Sequence, residues 1–232
     1  MCVYCEIPSS HKEVFYNENP DVKKSKDNGD ILYLQINIVG DAGCGITSLI
    51  DAYQADEFPS ITSVSRYARY KLTKIANTPV EMIFYDTIGL EDFDDVQRRS
   101  LMFMFSEISI LCYSVDSRQS FEKISSQWWP EVKAVKASLT KKPYMLVGLK
   151  KDLSSTKLDC NGKSECVTTN EGKALAKSIG AVSFVECSSV TNEGINEVFE
   201  MAINKHYEEW RKKFGIDNKV QVWKCLCCWN SN

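Results

Sequence analysis

The sequence predicts an α/β protein built on a mostly parallel, six-stranded sheet with helices on both faces. Three observations carry that prediction. Six short strand-like runs are present, and the three from Ile108 onward alternate with stretches of helical period. One strand runs through a glycine-rich turn directly into a helix, over Val39–Leu49. Two runs, Arg66–Ile75 and Val80–Tyr85, are joined by Ala76-Asn77-Thr78-Pro79 alone, a hairpin that gives the sheet one antiparallel edge.

Residues 1–30 come first and are polar and turn-rich (Pro8-Ser9-Ser10, Asn17-Glu18-Asn19-Pro20), with no sustained period of 2 or 3.6. They read as a flexible N-terminal extension. The first strand, Ile31–Val39, is stopped by Gly40-Asp41-Ala42-Gly43-Cys44-Gly45, after which Leu49, Ile50 and Tyr53 mark one face of a helix. Beyond the hairpin lie strands at Ile108–Val115, Pro143–Gly148 and Ser183–Cys187, with helices over Ser120–Ser138, Asn170–Ile179 and Asn192–Arg211. The main domain is therefore expected over 31–206, followed by the end of the last helix and a cysteine-rich tail at 207–232.

Composition narrows the class. With 232 residues, 44% apolar and 25% charged, the chain is ordinary for a globular protein, which excludes disorder throughout, collagen and simple coiled coil. Its 28 basic residues against 31 acidic leave no basic excess, so no nucleic-acid partner is expected. The longest apolar run, around Ile108–Val115, falls far short of the ~20 residues that span a bilayer. Met1–Glu6 has neither the basic and apolar regions of a secretory signal nor the glycine of N-myristoylation. A cytoplasmic location with reduced cysteines is expected.

The strand–turn–helix unit holds the first chemistry. A phosphate-binding loop reads G-x-x-x-x-G-K-[ST], and this chain reads Gly40-Asp41-Ala42-Gly43-Cys44-Gly45-Ile46-Thr47. The glycines let backbone N–H groups converge on an anion at a helix N-terminus, and Thr47 brings the hydroxyl for Mg²⁺. The lysine slot, however, holds Ile46, and alone the motif is as compatible with a plain structural turn. Three further loops follow strands in order. Asp86-Thr87-Ile88-Gly89 occupies the place of a Walker-B aspartate and its glycine. Leu149-Lys150-Lys151-Asp152 offers a carboxylate that can accept from both the N1–H and the 2-amino group of guanine, and Glu186-Cys187-Ser188-Ser189 closes the set. Open α/β sheets place their ligands at such strand tips.

On these motifs the chain resembles the Ras superfamily of small GTPases over Ile31–His206, a phosphate-binding-loop NTPase fold. Gln127-Trp128-Trp129-Pro130-Glu131-Val132, Leu146–Leu153 and Glu186-Cys187-Ser188 resemble the Rho family within it. The polar stretch Ser154–Thr169 stands where Rho proteins carry a helical insert, and is short for one. The resemblance implies GTP or GDP with Mg²⁺ as cofactors, and a nucleotide site made by Ala42, Gly43, Cys44, Gly45, Ile46, Thr47, Ser48, Phe58, Ser63, Asp86, Gly89, Lys150, Asp152, Ser188 and Ser189. Phe58 is to stack on the base, Lys150 to lie along it and Asp152 to read its edge. Thr47 and Ser63 are to ligate Mg²⁺, with Asp86 behind them. Effector proteins are implied at two switch segments, with an exchange factor as a further partner, a monomeric state and regulation of the actin cytoskeleton.

Departures from the family pattern bear on the chemistry. Ile46 removes the cation that bridges the β- and γ-phosphates, a charge-assisted contact of about 1.5–3 kcal/mol, so binding weakens about tenfold to a hundredfold. Leu90 takes the place of the glutamine that orients the attacking water, leaving no confident catalytic residue. Ala42 replaces a loop glycine and crowds an incoming arginine finger. Leu149 replaces a polar residue, and switch I is about two residues short between Phe58 and Ser63. The expectation is a signalling switch with impaired hydrolysis, held mostly in the GTP form. A nucleotide-free pseudo-GTPase acting as an interaction scaffold is the alternative, and a slow GTPase borrowing Lys71 or Lys74 as substitute cation is a third.

Outside the motifs, Trp128 and Trp129 read as packing, His11 and His206 as surface or helix residues, and Cys160 and Cys166 as solvent-side thiols. In the tail, a prenylation cysteine fails by one position, because residue 229 is Trp. Cys225, Cys227 and Cys228, flanked by Trp223, Trp229 and Lys224, instead suit S-acylation and reversible membrane association at the plasma membrane or an endomembrane, with a plain frayed tail as the rival.

Overall fold

The computed structural model describes residues 32–55, 68–75, 78–86, 96–139, 142–154 and 166–214. Strands β1 (Leu32–Gly40), β2 (Ala68–Ile75), β3 (Thr78–Asp86), β4 (Ile108–Ser114), β5 (Tyr144–Leu149) and β6 (Phe184–Glu186) form one sheet in the order β2-β3-β1-β4-β5-β6. Only β2 and β3 pair antiparallel, as the hairpin required; every other pair is parallel. The hairpin is tighter than the sequence suggested. Ile75 stands opposite Thr78, so the connection shrinks to Ala76 and Asn77. Pro79, which has no N–H, is tolerated because β1 takes up pairing only from Val80.

The helices are α1 (Ile46–Ala55), α2 (Val96–Phe105), α3 (Arg118–Lys123), α4 (Trp129–Leu139), α5 (Thr169–Ile179) and α6 (Ile195–Phe214). β1 sorts them by simple alternation. Leu32, Leu34, Ile36 and Ile38 face one side, against Leu49 and Ile50 of α1 and Val198 and Phe199 of α6. Val39 faces the other, with Phe103 of α2, Trp128, Val132 of α4 and Ile179 of α5. β4 is buried at every position, as befits a strand covered on both faces.

Helix α2 is absent from the sequence reading. Phe103 is buried while Leu101 and Phe105 are 53% exposed, so the apolar letters of this segment do not trace a single helical stripe. The helix expected over Ser120–Ser138 is α3 and α4 joined through a π-helical turn, Ile124–Trp128. Pro130 explains the widening, since its ring crowds the carbonyl four residues back and it has no N–H to donate there. Ordinary end chemistry sets α5: Thr168 and Glu171 form a reciprocal capping box, and Gly180 closes the helix at φ +77°. Cys166 is a correction. It is buried, its thiol donating to the Leu153 carbonyl at 3.3 Å, where a solvent-side thiol was expected. Cys160, His11, residues 1–30 and the tail lie outside the described residues.

Candidate functional site

The site is assembled at the carboxyl ends of β1, β3, β5 and β6. Gly40 ends β1, and a Cβ there would stand 2.3 Å from the Cys112 carbonyl oxygen of β4, so only glycine lets the chain leave the sheet so close to its neighbour. The Cys44 N–H then donates to the Asp41 carbonyl at 3.1 Å, closing the turn. Gly43 and Gly45 take φ of +74° and +110°, and a Cβ on Gly43 would meet nothing within 4 Å. The loop is thus an open cradle ending at the N-terminus of α1, the geometry for anion binding by backbone N–H groups.

Predicted partners converge on it. The Thr47 hydroxyl donates to Asp86 Oδ2 at 3.0 Å, joining the first turn of α1 to the last residue of β3. Lys150, held in the left-handed region at φ +58°, donates from Nζ to the Gly43 carbonyl at 2.8 Å. Asp152 Oδ1 accepts from the fully buried Ser188 hydroxyl at 2.5 Å, and the Lys151 N–H donates to the Cys187 carbonyl at 3.0 Å. The segment after β5 and the β6 loop are therefore one unit. Ala42 and Ser48 are exposed, and Ser189 is half-buried beside Ser188.

Other predicted residues point elsewhere. The Ile46 side chain is fully buried with Leu49 and Ile50, so the slot that a phosphate-binding lysine would fill has become part of the core beneath the loop. Leu149 is buried in the same cluster. Cys44 also turns inward, and burial pushes its thiol up to about 12, which leaves it unreactive. Lys71 is no substitute cation: its Nζ donates to the Tyr53 carbonyl at 2.6 Å and sits 3.8 Å from that ring's centroid, toward the far end of α1. Lys74 is exposed on β2. Phe58, Ser63, Gly89, Leu90, Cys225, Cys227 and Cys228 lie outside the described residues.

One feature of the loop has no local signature in the sequence. Asp41, inside the loop, has both carboxylate oxygens engaged, one by the Trp128 indole N–H and one by Lys123 Nζ, each at 2.9 Å. Trp128 is buried as expected, but it also fastens the loop to the turn between α3 and α4. A spacing of 87 residues hides that contact from any local pattern. Among the described residues no three His, Cys, Asp or Glu side chains gather to hold a metal unaided. Thr47 and Asp86 suit a cation that takes its remaining ligands from phosphate and water, as Mg²⁺ does.

A parallel sheet with a glycine cradle at the tip of its first strand, a Thr–Asp pair beside it and a carboxylate-bearing loop two strands away defines a phosphate-binding-loop nucleotide protein. Residues 35–208 match the family model described as Ras family, and the chain belongs to that family. Over 187 residues it is 36% identical to the Rho-related GTP-binding protein RhoB of human, mouse and rat, an alignment covering 78% of this chain and 91% of each relative. The protein is a Rho-like small GTPase of the signalling-switch class, with the fold its sequence predicted. Proteins of this family generally bind GTP or GDP with Mg²⁺, together with effectors and exchange factors.

Proposed function

We propose that the chain binds guanine nucleotide with Mg²⁺ and works as a switch with impaired hydrolysis, resting mainly in the GTP form. The observation that carries this is the retention of both polar pairs, Thr47–Asp86 at the phosphate end and Asp152–Ser188 at the base end, around a loop whose lysine slot is filled by core packing. Bound there, Mg²⁺ neutralises charge on the β- and γ-phosphates. Thr47 holds it, Asp86 orients the Thr47 hydroxyl, and Ser63 is the second protein ligand proposed from switch I. Asp152 selects guanine over adenine by accepting from N1–H and the 2-amino group, Ser188 fixes that carboxylate, and Phe58 and Lys150 flank the base. Gly89 adds its N–H to the phosphate end.

Hydrolysis is slow on this reading because Leu90 has neither donor nor acceptor to hold water in line, and Ala42 obstructs an arginine finger otherwise worth about 10³–10⁵ in rate. Effectors and an exchange factor engage the switch segments of a monomer, in the cytoskeletal signalling typical of the family. Acylation of Cys225, Cys227 and Cys228 brings the cytoplasmic protein reversibly to membranes. Single-turnover hydrolysis of bound GTP tests the central claim, and a rate equal to that of an ordinary relative overturns it. The buried Ile46 favours one second reading, a nucleotide-free scaffold. Chromatography of nucleotide released from the purified protein separates the two, since the scaffold releases none.

A further inference from the structure

Carboxylates gather around the loop. Asp41 lies in it, and Asp86 and Asp116 stand one contact away, through Thr47 and Lys150, while among the described residues Lys123 and Lys150 bring ammonium groups to Asp41 and to the Gly43 carbonyl. Lys150 lies on the Gly43 carbonyl, 4.0 Å from Asp116 Oδ1. Asp41 is the carboxylate inside the loop itself, and its side chain is only 14% exposed. A polyphosphate entering the cradle meets that negative charge without the ammonium that Ile46 has displaced.

We propose that Lys123 is a positioning residue for the nucleotide: it neutralises Asp41 and, with Trp128, keeps the carboxylate turned toward the α3–α4 side and away from the cradle. This rests on the nucleotide-binding reading above. Lys123 reaches Asp41 Oδ2 at 2.9 Å from the last residue of α3, and at 39% exposure it costs little desolvation to keep charged. Trp128 holds Oδ1 with an uncharged N–H, so of these two partners only Lys123 brings compensating charge to Asp41.

The test is titration of the full chain with fluorescently labelled GDP and Mg²⁺, in the parent, Lys123→Met, Asp41→Asn and the double variant. Methionine keeps the aliphatic stem, and the asparagine carbonyl still accepts from Trp128. Lys123→Met is expected to weaken binding by about fivefold at low salt, with the difference shrinking as ionic strength rises. Asp41→Asn in the Lys123→Met background restores parental affinity, which no general folding defect allows. Equal affinity of parent and Lys123→Met overturns the proposal, as does a double variant no tighter than Lys123→Met. A parent that binds no guanine nucleotide overturns this and the nucleotide reading together.

Discussion

Ile46 is one letter away from a phosphate-binding lysine, and its burial shows where that letter went. Its side chain packs with Leu49 and Ile50, so the change traded a ligand contact for core volume. Ile46→Lys is therefore expected to tighten guanine nucleotide about tenfold to a hundredfold while lowering the stability of the nucleotide-free protein. Paired titration and urea denaturation check it, and a variant gaining nothing in affinity overturns the expectation that Ile46 weakens binding. Tyr113 carries the opposite lesson. Its hydroxyl is buried with no hydrogen-bond partner, and burial, with Glu186 and Glu171 nearby, raises its pKa. Tyr113→Phe should stabilise the fold by about 1–2 kcal/mol in urea, since it removes an unsatisfied polar group and little else. Motif letters such as Thr47, Asp86 and Asp152 were legible because their chemistry is tied to spacing along the chain. The inward turn of Ile46 and the orphaned Tyr113 hydroxyl were not, because burial is decided by residues far away in sequence.

Helix α5 shows how an element is fixed by both its ends and its face. Arg118 reaches both Glu171 oxygens and the Cys166 carbonyl, tying the start of α3 to the start of α5. Hydrogen bonds from Arg118, then from the Thr168 backbone, hold the Glu171 carboxyl down to about 2 from 4.5. A carboxyl lowered on folding contributes stability that is complete above its unfolded value and is lost as pH falls, here between about 4.5 and 2. Because the pair is substantially exposed the effect is small, and Glu171→Gln should flatten the unfolding free energy across that window alone. On the inner face, a Cβ at Gly172 would come 2.4 Å from Phe184 Cζ and 2.5 Å from the Tyr113 hydroxyl. Gly172→Ala, a change that usually gains about 1 kcal/mol within a helix, should instead destabilise, and Tyr113→Phe should recover part of the loss. α5 was readable from its period and its caps. α2 was not: Phe103 alone among its aromatic residues is buried, so tertiary packing rather than pattern makes it a helix.

Across the whole molecule, strand–helix alternation was enough to give a parallel sheet, because parallel neighbours need a crossover and the sequence supplies a helix in most of the gaps. What alternation cannot supply is the meeting of loops. The Lys150–Gly43 bond spans 107 residues and the Asp152–Ser188 bond 36, so the site exists only when the sheet is closed. A ligand that needs all of these loops binds the folded chain and not the unfolded one, and so must raise its stability. At a hundredfold excess over its dissociation constant, guanine nucleotide with Mg²⁺ adds about 2.7 kcal/mol, which is about 5–11 °C in melting temperature for a chain of this size. Adenine nucleotide at the same concentration should leave the melt unchanged, because it offers Asp152 no paired donors. Chelating Mg²⁺ should remove most of the gain, because the Thr47–Asp86 pair then faces the phosphates with no cation between them. Asp152→Ala should erase the difference between the two nucleotides, each shift being read against the variant's own unliganded melt, which falls because the buried Ser188 hydroxyl loses its acceptor. Equal shifts from guanine and adenine in the parent protein would mean that the base-end pair does not read the ligand, and the assignment of Asp152 and Ser188 would fall even if phosphate binding stood.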